Sequence, residues 1–567
     1  MKAWTRIAAG VMAVALGAGA AHAQSDGYSS VTDKRLEDPK AKNWLHWRGN
    51  YKGWGYSALD QITTDNVDQL EPAWTLSSGV NWGHEAPPIV NDGMMYVTTS
   101  HDKLFALDAK TGEIVWQYKR QLPEDVVTCC DVVNRGVALH GDTVYMGTLD
   151  AHLIAFDAKS GKIEWDVTVA DYTKRYTITS APMVVDGKVI TGIHGGEYGV
   201  RGFLTAYDAK SGKQLWKTHT TKNDGSWPGD SWKTGGASTW LTGTYDQETD
   251  TVYWGTSNPS PWIDPARKQG KHDLHWSVSV LAINPDNGKI KDAYQYSPND
   301  SWDYDGTNEP MLISVKNGNG EREPSIVSPH RNGYFYRLSR GENGKIDFEN
   351  AWKYAKSNVY KKITDEGRPV HDPDHRSQVG KTVDACPGFL GAKNWQPSAY
   401  HPDTGLVYVP GNEWCMKIRG AQVNYNAGEP FVGAEFEMRQ VAGNDHVGEL
   451  EAIDPKTGEA KWTQEFKAPL WGGVLTTGGD LVFTGNLDKR EFMAFDAKSG
   501  DELWSFKTNS GVVGTPMTYK VDGTQYVAVW SGFGGAIPLW GGPVAKLTEN
   551  VPMGGVLWVF KLDQEDA

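Results

Sequence analysis

The sequence predicts an all-β protein, an eight-bladed β-propeller with tryptophan docking motifs between its blades. Three observations support this prediction. A short unit recurs along the chain, a tryptophan ends most of its copies, and the composition favours tight turns and stacked rings, with 64 Gly, 25 Trp and 24 Tyr among 567 residues. Such a pattern is typical of folds built from many short, repeated strands.

The repeated unit is a strand that ends in aspartate, a turn through Lys-Ser/Thr-Gly, and a second strand that ends in an indole. Aspartate can accept hydrogen bonds from turn amides and glycine supplies a positive φ, so each copy is predicted to form a β-hairpin. The copies end at Trp116, Trp165, Trp216, Trp462 and Trp504, with a degraded copy at 282–290.

Spacing between copies sets the size of the unit. Neighbouring tryptophans are separated by 49, 51 and 42 residues, which is the length of a four-stranded propeller blade. The chain has room for more blades than the copies mark, and 264–275 and 360–384 are interpreted as insertions. We therefore predict eight blades in a single domain over residues 24–567, with the chain ends meeting to close the ring.

The first 23 residues have the pattern of a signal peptide. Lys2 and Arg6 precede a short apolar run, and Ala21-His22-Ala23 forms a cleavage site before Gln24. No later segment contains eighteen uninterrupted apolar residues, so no membrane span is predicted. The sequence predicts secretion to the bacterial periplasm, where disulfides can form; an uncleaved amphipathic start is the alternative.

Net charge restricts the partners. Cleavage removes Lys2 and Arg6 and no acidic residue, so the formal charge of −14 becomes −16. This balance argues against nucleic acid and anionic membrane and suits a basic protein partner.

TCCDVVNRG, residues 128–136, places two of the four cysteines side by side. A disulfide between sequence neighbours joins no distant segments, so stability is not its main use. Four cysteines allow three connectivities, and the residues alone leave them open.

These motifs together carry a resemblance to a known family. The repeats, TCCDVVNRG, GGEYGVRG, TSNPSPW and SWDYDGTNE resemble the pyrroloquinoline quinone (PQQ) dependent alcohol dehydrogenases of the methanol dehydrogenase type, in the same order and over essentially the whole mature chain. The resemblance implies a Cys129–Cys130 disulfide over one face of the quinone, Trp240 on the other face, and a Cys386–Cys415 disulfide that staples a loop.

The resemblance also implies a set of residues around the rim of the cofactor. Arg135 offers a planar fork for a carboxylate, and Arg331 is expected to stabilise negative charge beside the reactive carbonyl oxygens. The predicted cofactor-binding residues are Glu85, Cys129, Cys130, Arg135, Thr179, His194, Gly195, Gly196, Trp240, Arg331, Asn394 and Trp471.

A hard cation is expected beside the cofactor. Glu197, Asn258 and Asp303 offer the oxygen ligands that such cations prefer. Asp305 lies two residues after Asp303, so in an extended segment it faces the same side. Aspartate at this position resembles the lanthanide-dependent branch of the family, whereas Ca²⁺ is the alternative ion and a simple turn residue is the alternative role for Asp305.

The expected reaction is alcohol oxidation. Asp303 takes the hydroxyl proton, hydride passes to the quinone, and electrons leave to a separate soluble cytochrome c, because the chain contains no C-x-x-C-H heme motif. The C-terminal run with Phe533 and Trp540 resembles the ethanol and broader primary-alcohol members of the family, which implies ethanol or a related primary alcohol as substrate. Calcium- or lanthanide-dependent methanol dehydrogenase, a sugar or polyol dehydrogenase and a non-enzymatic propeller scaffold are the alternatives, and a homodimer is compatible with the sequence.

Overall fold

The structure is a computed structural model that describes residues 28–267, 272–316 and 319–563. The predicted signal peptide, 1–23, lies outside these residues, as does part of the predicted insertion 264–275. The described chain is mostly β, with two α-helices, Asp33–Glu37 and Ala536–Trp540. No helix in these ranges is long and apolar enough to cross a membrane.

Four-stranded antiparallel sheets follow one another along the first half of the chain. In each of them the strands pair in chain order. The strands of the first four are Ile89–Asn91, Met94–Thr99, Lys103–Asp108 and Ile114–Lys119; Val137–His140, Thr143–Gly147, His152–Asp157 and Ile163–Thr168; Met183–Val185, Lys188–Gly192, Phe203–Asp208 and Gln214–His219; and Thr244–Asp246, Thr251–Gly255, Ser279–Ile283 and Ile290–Gln295.

The second half repeats the pattern, so the described residues contain eight sheets of at least four strands. The fifth to seventh are formed by Met311–Lys316, Arg322–Pro329, Tyr334–Arg340 and Ile346–Lys353; Ala399–Tyr400, Val407–Asn412, Gly448–Asp454 and Glu459–Phe466; and Leu475–Thr477, Leu481–Gly485, Glu491–Asp496 and Glu502–Lys507, with Tyr56–Ser57 added to the seventh.

The eighth sheet joins the two ends of the described chain. Leu70–Ser77 pairs antiparallel with Val556–Leu562, beside Met517–Val521 and Thr524–Ser531. Among the described residues there are also two smaller sheets, formed by Tyr360–Ile363 with Pro369–His371 and by Thr382–Ala385 with Trp414–Gly420 and Ala434–Gln440. The 3₁₀ turns are Val67–Gln69, Tyr172–Lys174, Gly196–Tyr198, Ser231–Thr234, Asp264–Arg267, Glu342–Gly344, Pro373–His375 and Gly542–Thr548.

The repeated units form the hairpins between the third and fourth strands of a sheet. In one of them Asp157 accepts hydrogen bonds from the Ser160 amide at 2.8 Å and from the Ser160 hydroxyl at 2.5 Å, and Gly161 takes φ +71°. The Trp116 ring of the preceding sheet covers Gly161, where a Cβ would lie 2.6 Å from the ring. Trp116 also donates its indole N–H to the Ala158 carbonyl at 2.9 Å, so this tryptophan contacts the next hairpin.

The same contact recurs between other neighbouring sheets. The indole nitrogens donate from Trp74 to Ala109, from Trp165 to Ala209, from Trp216 to Pro285 and from Trp462 to Ala497. Strands at the start of each sheet are almost fully buried, whereas the fourth strands carry mostly half-buried and exposed side chains. The core therefore lies between the inner strands of successive sheets.

Candidate active site

The predicted site residues come from two kinds of loop. Most of them stand just before the first strand of successive sheets: Glu85, Cys129–Arg135, Thr179, Trp240, Asp303, Asp305, Asn394 and Trp471. The others, His194–Glu197, Asn258 and Arg331, follow the second strand of a sheet. In an antiparallel sheet the start of the first strand and the end of the second strand lie at the same end of the sheet. Both kinds of loop therefore open on one end of the ring of sheets.

At that end lies a cavity of about 220 Å³ that is partly open to solvent. Twelve of the predicted residues line it: Glu85, Cys129, Cys130, Arg135, Thr179, His194, Glu197, Trp240, Asp303, Asp305, Arg331 and Asn394.

Four predicted residues stand outside the lining. Gly196 adjoins Asn258, whose Oδ1 would lie 3.3 Å from a Cβ at that glycine. Gly195 has a φ of +117° and packs against the Arg175 carbonyl, so only glycine fits there. Trp471 is fully buried, and its indole nitrogen would lie 3.5 Å from a Cβ at Gly535. These four predicted residues therefore pack behind the residues that line the cavity.

A disulfide joins Cys129 to Cys130 and forms part of the wall. Their sulfur atoms lie within 4.8 Å of a ring nitrogen of His194, and the His194 ring centre is 5.8 Å from that of Trp240. The disulfide, His194 and Trp240 are therefore neighbours around one space. The second disulfide, Cys386–Cys415, lies outside the lining.

Arg135 supplies the positive charge in the half of the cavity that contains Glu85 and Thr179. It forms an ion pair with Glu85 at 2.8 Å, donates to the Thr179 hydroxyl at 3.0 Å, and lies over the rings of Trp240 and Trp395 at 5.0 and 5.4 Å. Burial raises the pKa of Glu85 to about 7, and the positive charge of Arg135 opposes that increase. This half can accept a flat, anionic group against a guanidinium and two indoles.

Asp305 is held by three donors in the other half. Its Oδ2 accepts the Trp240 indole N–H at 3.0 Å and pairs with Arg331 at 2.7 Å, while Oδ1 accepts the Asn258 amide at 2.8 Å. Glu197, Asp303 and Asp305 therefore line one cavity, but within the described residues they do not bring three ligand oxygens within 4.8 Å of one another. The reason is that Asp305 turns toward Arg331 and Trp240.

Three other oxygens are left without a partner. Glu197 Oε2, Asp303 Oδ1 and Asn258 Oδ1 are buried and accept no hydrogen bond from any residue that the structure describes. Because a buried carboxylate without a donor is costly, such oxygens indicate a cation. Two carboxylates and one amide oxygen are the donor set that a hard cation prefers, so the residues present fit one.

Electrostatics support the same interpretation. Burial, and then the negative charge of Asp305, raises the pKa of Glu197 to about 7. The same two causes raise the pKa of Asp303 well above its usual value. Of the four carboxylates in the lining, Glu85 and Asp305 have arginine partners within 2.8 Å, which leaves the charge of the other two to be balanced.

An aromatic wall was not predicted from the sequence. Trp262 stacks on Phe436 at 5.2 Å and lies 5.6 Å from Phe389, and all three rings line the cavity. Trp262 ends the quoted motif TSNPSPW, so a signal was present, whereas nothing in the sequence marked the two phenylalanines. Trp395, next to Asn394, was also missed.

Trp540, from the C-terminal run, lines the cavity with 39% of its surface exposed, while Phe533 is buried outside the lining.

A ring of antiparallel sheets with a cavity for a flat anionic group and a cation defines a β-propeller of the cofactor-binding type. A family model described as the β-propeller domain of PQQ glucose/ethanol/alcohol dehydrogenases matches residues 44–349 and 431–527. The chain belongs to this family of PQQ-dependent alcohol dehydrogenases, and it is therefore an oxidoreductase that uses PQQ.

Individual relatives agree with this assignment. The quinoprotein alcohol dehydrogenase PedH of Pseudomonas putida is 44% identical, over 98% of this chain and 96% of the relative. The lanthanide-dependent methanol dehydrogenase of Methylacidiphilum fumariolicum is 40% identical, over 87% of this chain and 85% of the relative. A solved europium-containing methanol dehydrogenase superposes with a TM-score of 0.89 at 38% identity and covers 93% of this chain and 99% of its own.

Proposed function

We propose that this chain oxidises ethanol or another primary alcohol to an aldehyde with PQQ and a lanthanide ion, and that it passes the electrons to a separate cytochrome c in the periplasm. The observation that carries the proposal is the set of three buried oxygens that accept no hydrogen bond from the described residues, those of Glu197 and Asp303 in the cavity lining and that of Asn258 behind it. Relatives described as lanthanide-dependent and europium-containing support the choice of ion.

Asp305 supports a trivalent ion over a divalent one. With Glu197 and Asp303 it adds a third carboxylate to the same half of the cavity, where Arg331 is the nearest cation. Since charge balance governs which hard cation a carboxylate site retains, three carboxylates favour a trivalent ion once Asp305 turns from Arg331 to the ion. The Ca²⁺ alternative requires Asp305 to remain paired with Arg331.

When bound, PQQ would supply a two-electron acceptor and the cation would supply a Lewis acid. Asp303 accepts the hydroxyl proton of the alcohol through Oδ2, since its unpartnered Oδ1 is the oxygen assigned to the cation. Arg331 donates to the Asp303 carbonyl at 3.1 Å and so fixes the backbone of the base. Glu85 and Thr179 orient Arg135, which then binds a carboxylate of the cofactor.

The apolar wall of Trp262, Phe389 and Phe436 favours an alcohol with a carbon chain, because these rings gain contacts with each added methylene. Methanol is the alternative substrate, and relatives named as methanol dehydrogenases support it.

The finer architecture is part of the same proposal. Each of the eight sheets is one blade, and the tryptophans that contact the next hairpin are docking motifs. Residues 1–23 are a signal peptide, and 24–567 form a single domain. The protein is a monomer or a homodimer.

A dye-linked assay tests the proposal. Purified protein is stripped of metal, loaded with PQQ, and supplied with La³⁺ or Ca²⁺ and a panel of alcohols from methanol to longer primary alcohols. Lanthanum-supported oxidation with a preference for ethanol or longer alcohols is expected, and Asp303→Asn should remove it with either ion. Equal or better activity with Ca²⁺ contradicts the lanthanide assignment, and no alcohol oxidation with either ion contradicts the function.

A further inference from the structure

Asp131 follows the Cys129–Cys130 disulfide directly and is almost completely buried, with 7% of its surface exposed. Its Oδ2 accepts the Gly83 amide at 3.3 Å and the Gly535 amide at 2.6 Å, and its Oδ1 accepts the Val132 amide at 2.7 Å. One carboxylate thus joins three segments of the chain, two of them more than 400 residues apart.

All three segments form walls of the cavity. Gly83 stands two residues before Glu85, and Gly535 directly precedes the helix Ala536–Trp540, whose two end residues line the cavity. A Cβ at Gly535 would lie 3.0 Å from Glu85 Oε1, so the helix start touches the partner of Arg135.

The bonding of Asp131 is unusual for a buried charge. Within the described part of the chain no lysine, arginine or histidine lies within ion-pair distance of Asp131, so backbone N–H groups are the donors that hold it. Backbone N–H groups aimed at a carboxylate form strong, directional hydrogen bonds. Asp131 itself has a positive φ of +87°, a conformation that non-glycine residues adopt when the surroundings impose it.

We propose that Asp131 is a positioning residue that fixes the disulfide wall against the Glu85 segment and the 536–540 helix. It does not line the cavity, so it acts through the residues that do. Without Asp131 the Cys129–Cys130 segment loses its attachment to both neighbours and becomes accessible. The consequence for cofactor binding rests on the proposed function, but the consequence for the disulfide does not.

The test compares the two disulfides of one chain. Asp131→Ala and Asp131→Asn are treated with dithiothreitol, and thiol labelling with mass spectrometry follows each disulfide separately. We expect reduction of Cys129–Cys130 to accelerate by about ten- to a hundredfold in Asp131→Ala, the factor expected when hydrogen bonds to a charged acceptor are lost. Asp131→Asn keeps one acceptor oxygen and should show a smaller increase. Cys386–Cys415 should keep the wild-type rate in both variants.

Two results would overturn the proposal. One is an unchanged rate for Cys129–Cys130; the other is equal acceleration of both disulfides, which would show general loss of stability. If Asp131→Ala does not fold, the proposal is tested by comparing the reduction rates of the two disulfides in Asp131→Asn. In protein loaded with PQQ, gel filtration should show the fastest loss of the cofactor from Asp131→Ala, slower loss from Asp131→Asn and the slowest loss from the wild type. In the variants kcat should fall by a larger factor than KM rises. A change in the disulfide rates without any PQQ binding would leave Asp131 as the positioning residue and remove the proposed function alone.

Discussion

Polar atoms find hydrogen-bond partners within the chain in the hairpins of the repeat, whereas several in the cavity do not. In the hairpin around Asp157 the carboxylate caps the turn, and the Trp116 indole N–H bonds to the next hairpin at 2.9 Å. In the cavity, oxygens of Glu197 and Asp303 stay buried without a donor. Groups that find partners within the chain stabilise the fold, whereas unpartnered groups are retained where a ligand supplies the partner. The hairpins therefore serve stability, and the cavity serves binding.

Asp305→Ala should have the largest effect, because it removes a carboxylate from the cavity and the partner of Arg331 at 2.7 Å. If Asp305 binds the ion, lanthanum-supported kcat should fall by about a hundredfold or more, since even residues that only orient a metal's ligands change activity by about ten- to a hundredfold. The bound lanthanum measured by mass spectrometry should fall as well, and calcium-supported activity should be affected less.

A buried pair outside the cavity is the control. Asp246 is also buried and pairs with Arg340. Asp246→Ala should lower the melting temperature and leave the ratio of lanthanum- to calcium-supported activity unchanged. If Asp305→Ala lowers both metal-supported activities equally, Asp305 positions Arg331 and is not a ligand that selects the ion.

A matched pair of Trp→Phe variants sharpens the contrast between hairpin and cavity. Each loses one indole N–H: Trp116→Phe the bond to the Ala158 carbonyl at 2.9 Å, and Trp240→Phe the bond to Asp305 at 3.0 Å. Trp116→Phe should cost about 1 to 2 kcal/mol of unfolding free energy, as a lost hydrogen bond does, and leave cofactor stoichiometry unchanged. Trp240→Phe should weaken retention of PQQ and lanthanum more than it changes the melting temperature. The contrast fails if both variants change the same property.

The sequence predicts the hairpins because each is encoded locally. Aspartate, glycine and tryptophan occur at fixed short distances, so the turn chemistry and the position of the indole follow from neighbouring residues. The family resemblance located most residues of the cavity. It did not reveal that Asp305 turns toward Arg331, 26 residues away, or that Asp131 bonds to Gly535, because such contacts depend on how distant loops meet and leave no local pattern.

Phe389 and Phe436 escaped prediction for the same reason. Their packing distance of 4.4 Å joins a loop residue to the strand Ala434–Gln440, and a single apolar residue in such segments has no spacing that distinguishes a cavity wall from an ordinary core. The hairpins can therefore be predicted from short stretches of sequence, whereas the side-chain arrangement inside the cavity cannot.

The smallest expected effect is a pH dependence that originates in the cavity. Burial raises the pKa of Glu197 to about 7 from an ordinary value of 4.5. A raised carboxyl pKa means that the folded state binds this proton more tightly than the unfolded state, so its contribution to stability is present below pH 4.5 and is lost as pH rises through 7. The melting temperature of the metal-free protein should therefore fall between pH 5 and 8, and that of Glu197→Gln should fall less.

The difference in melting temperature between the wild type and Glu197→Gln isolates the titration of Glu197. Glu85, whose pKa is also raised to about 7, is common to both proteins. Lanthanum binding should show the opposite trend. Below pH 7 the ion competes with the proton on Glu197, so apparent affinity should weaken by up to about tenfold per pH unit in the wild type. The variant should show a shallower slope. Identical slopes for the two proteins would mean that Glu197 is not a ligand, and the unpartnered oxygens of the cavity would then be reduced to those of Asp303 and Asn258.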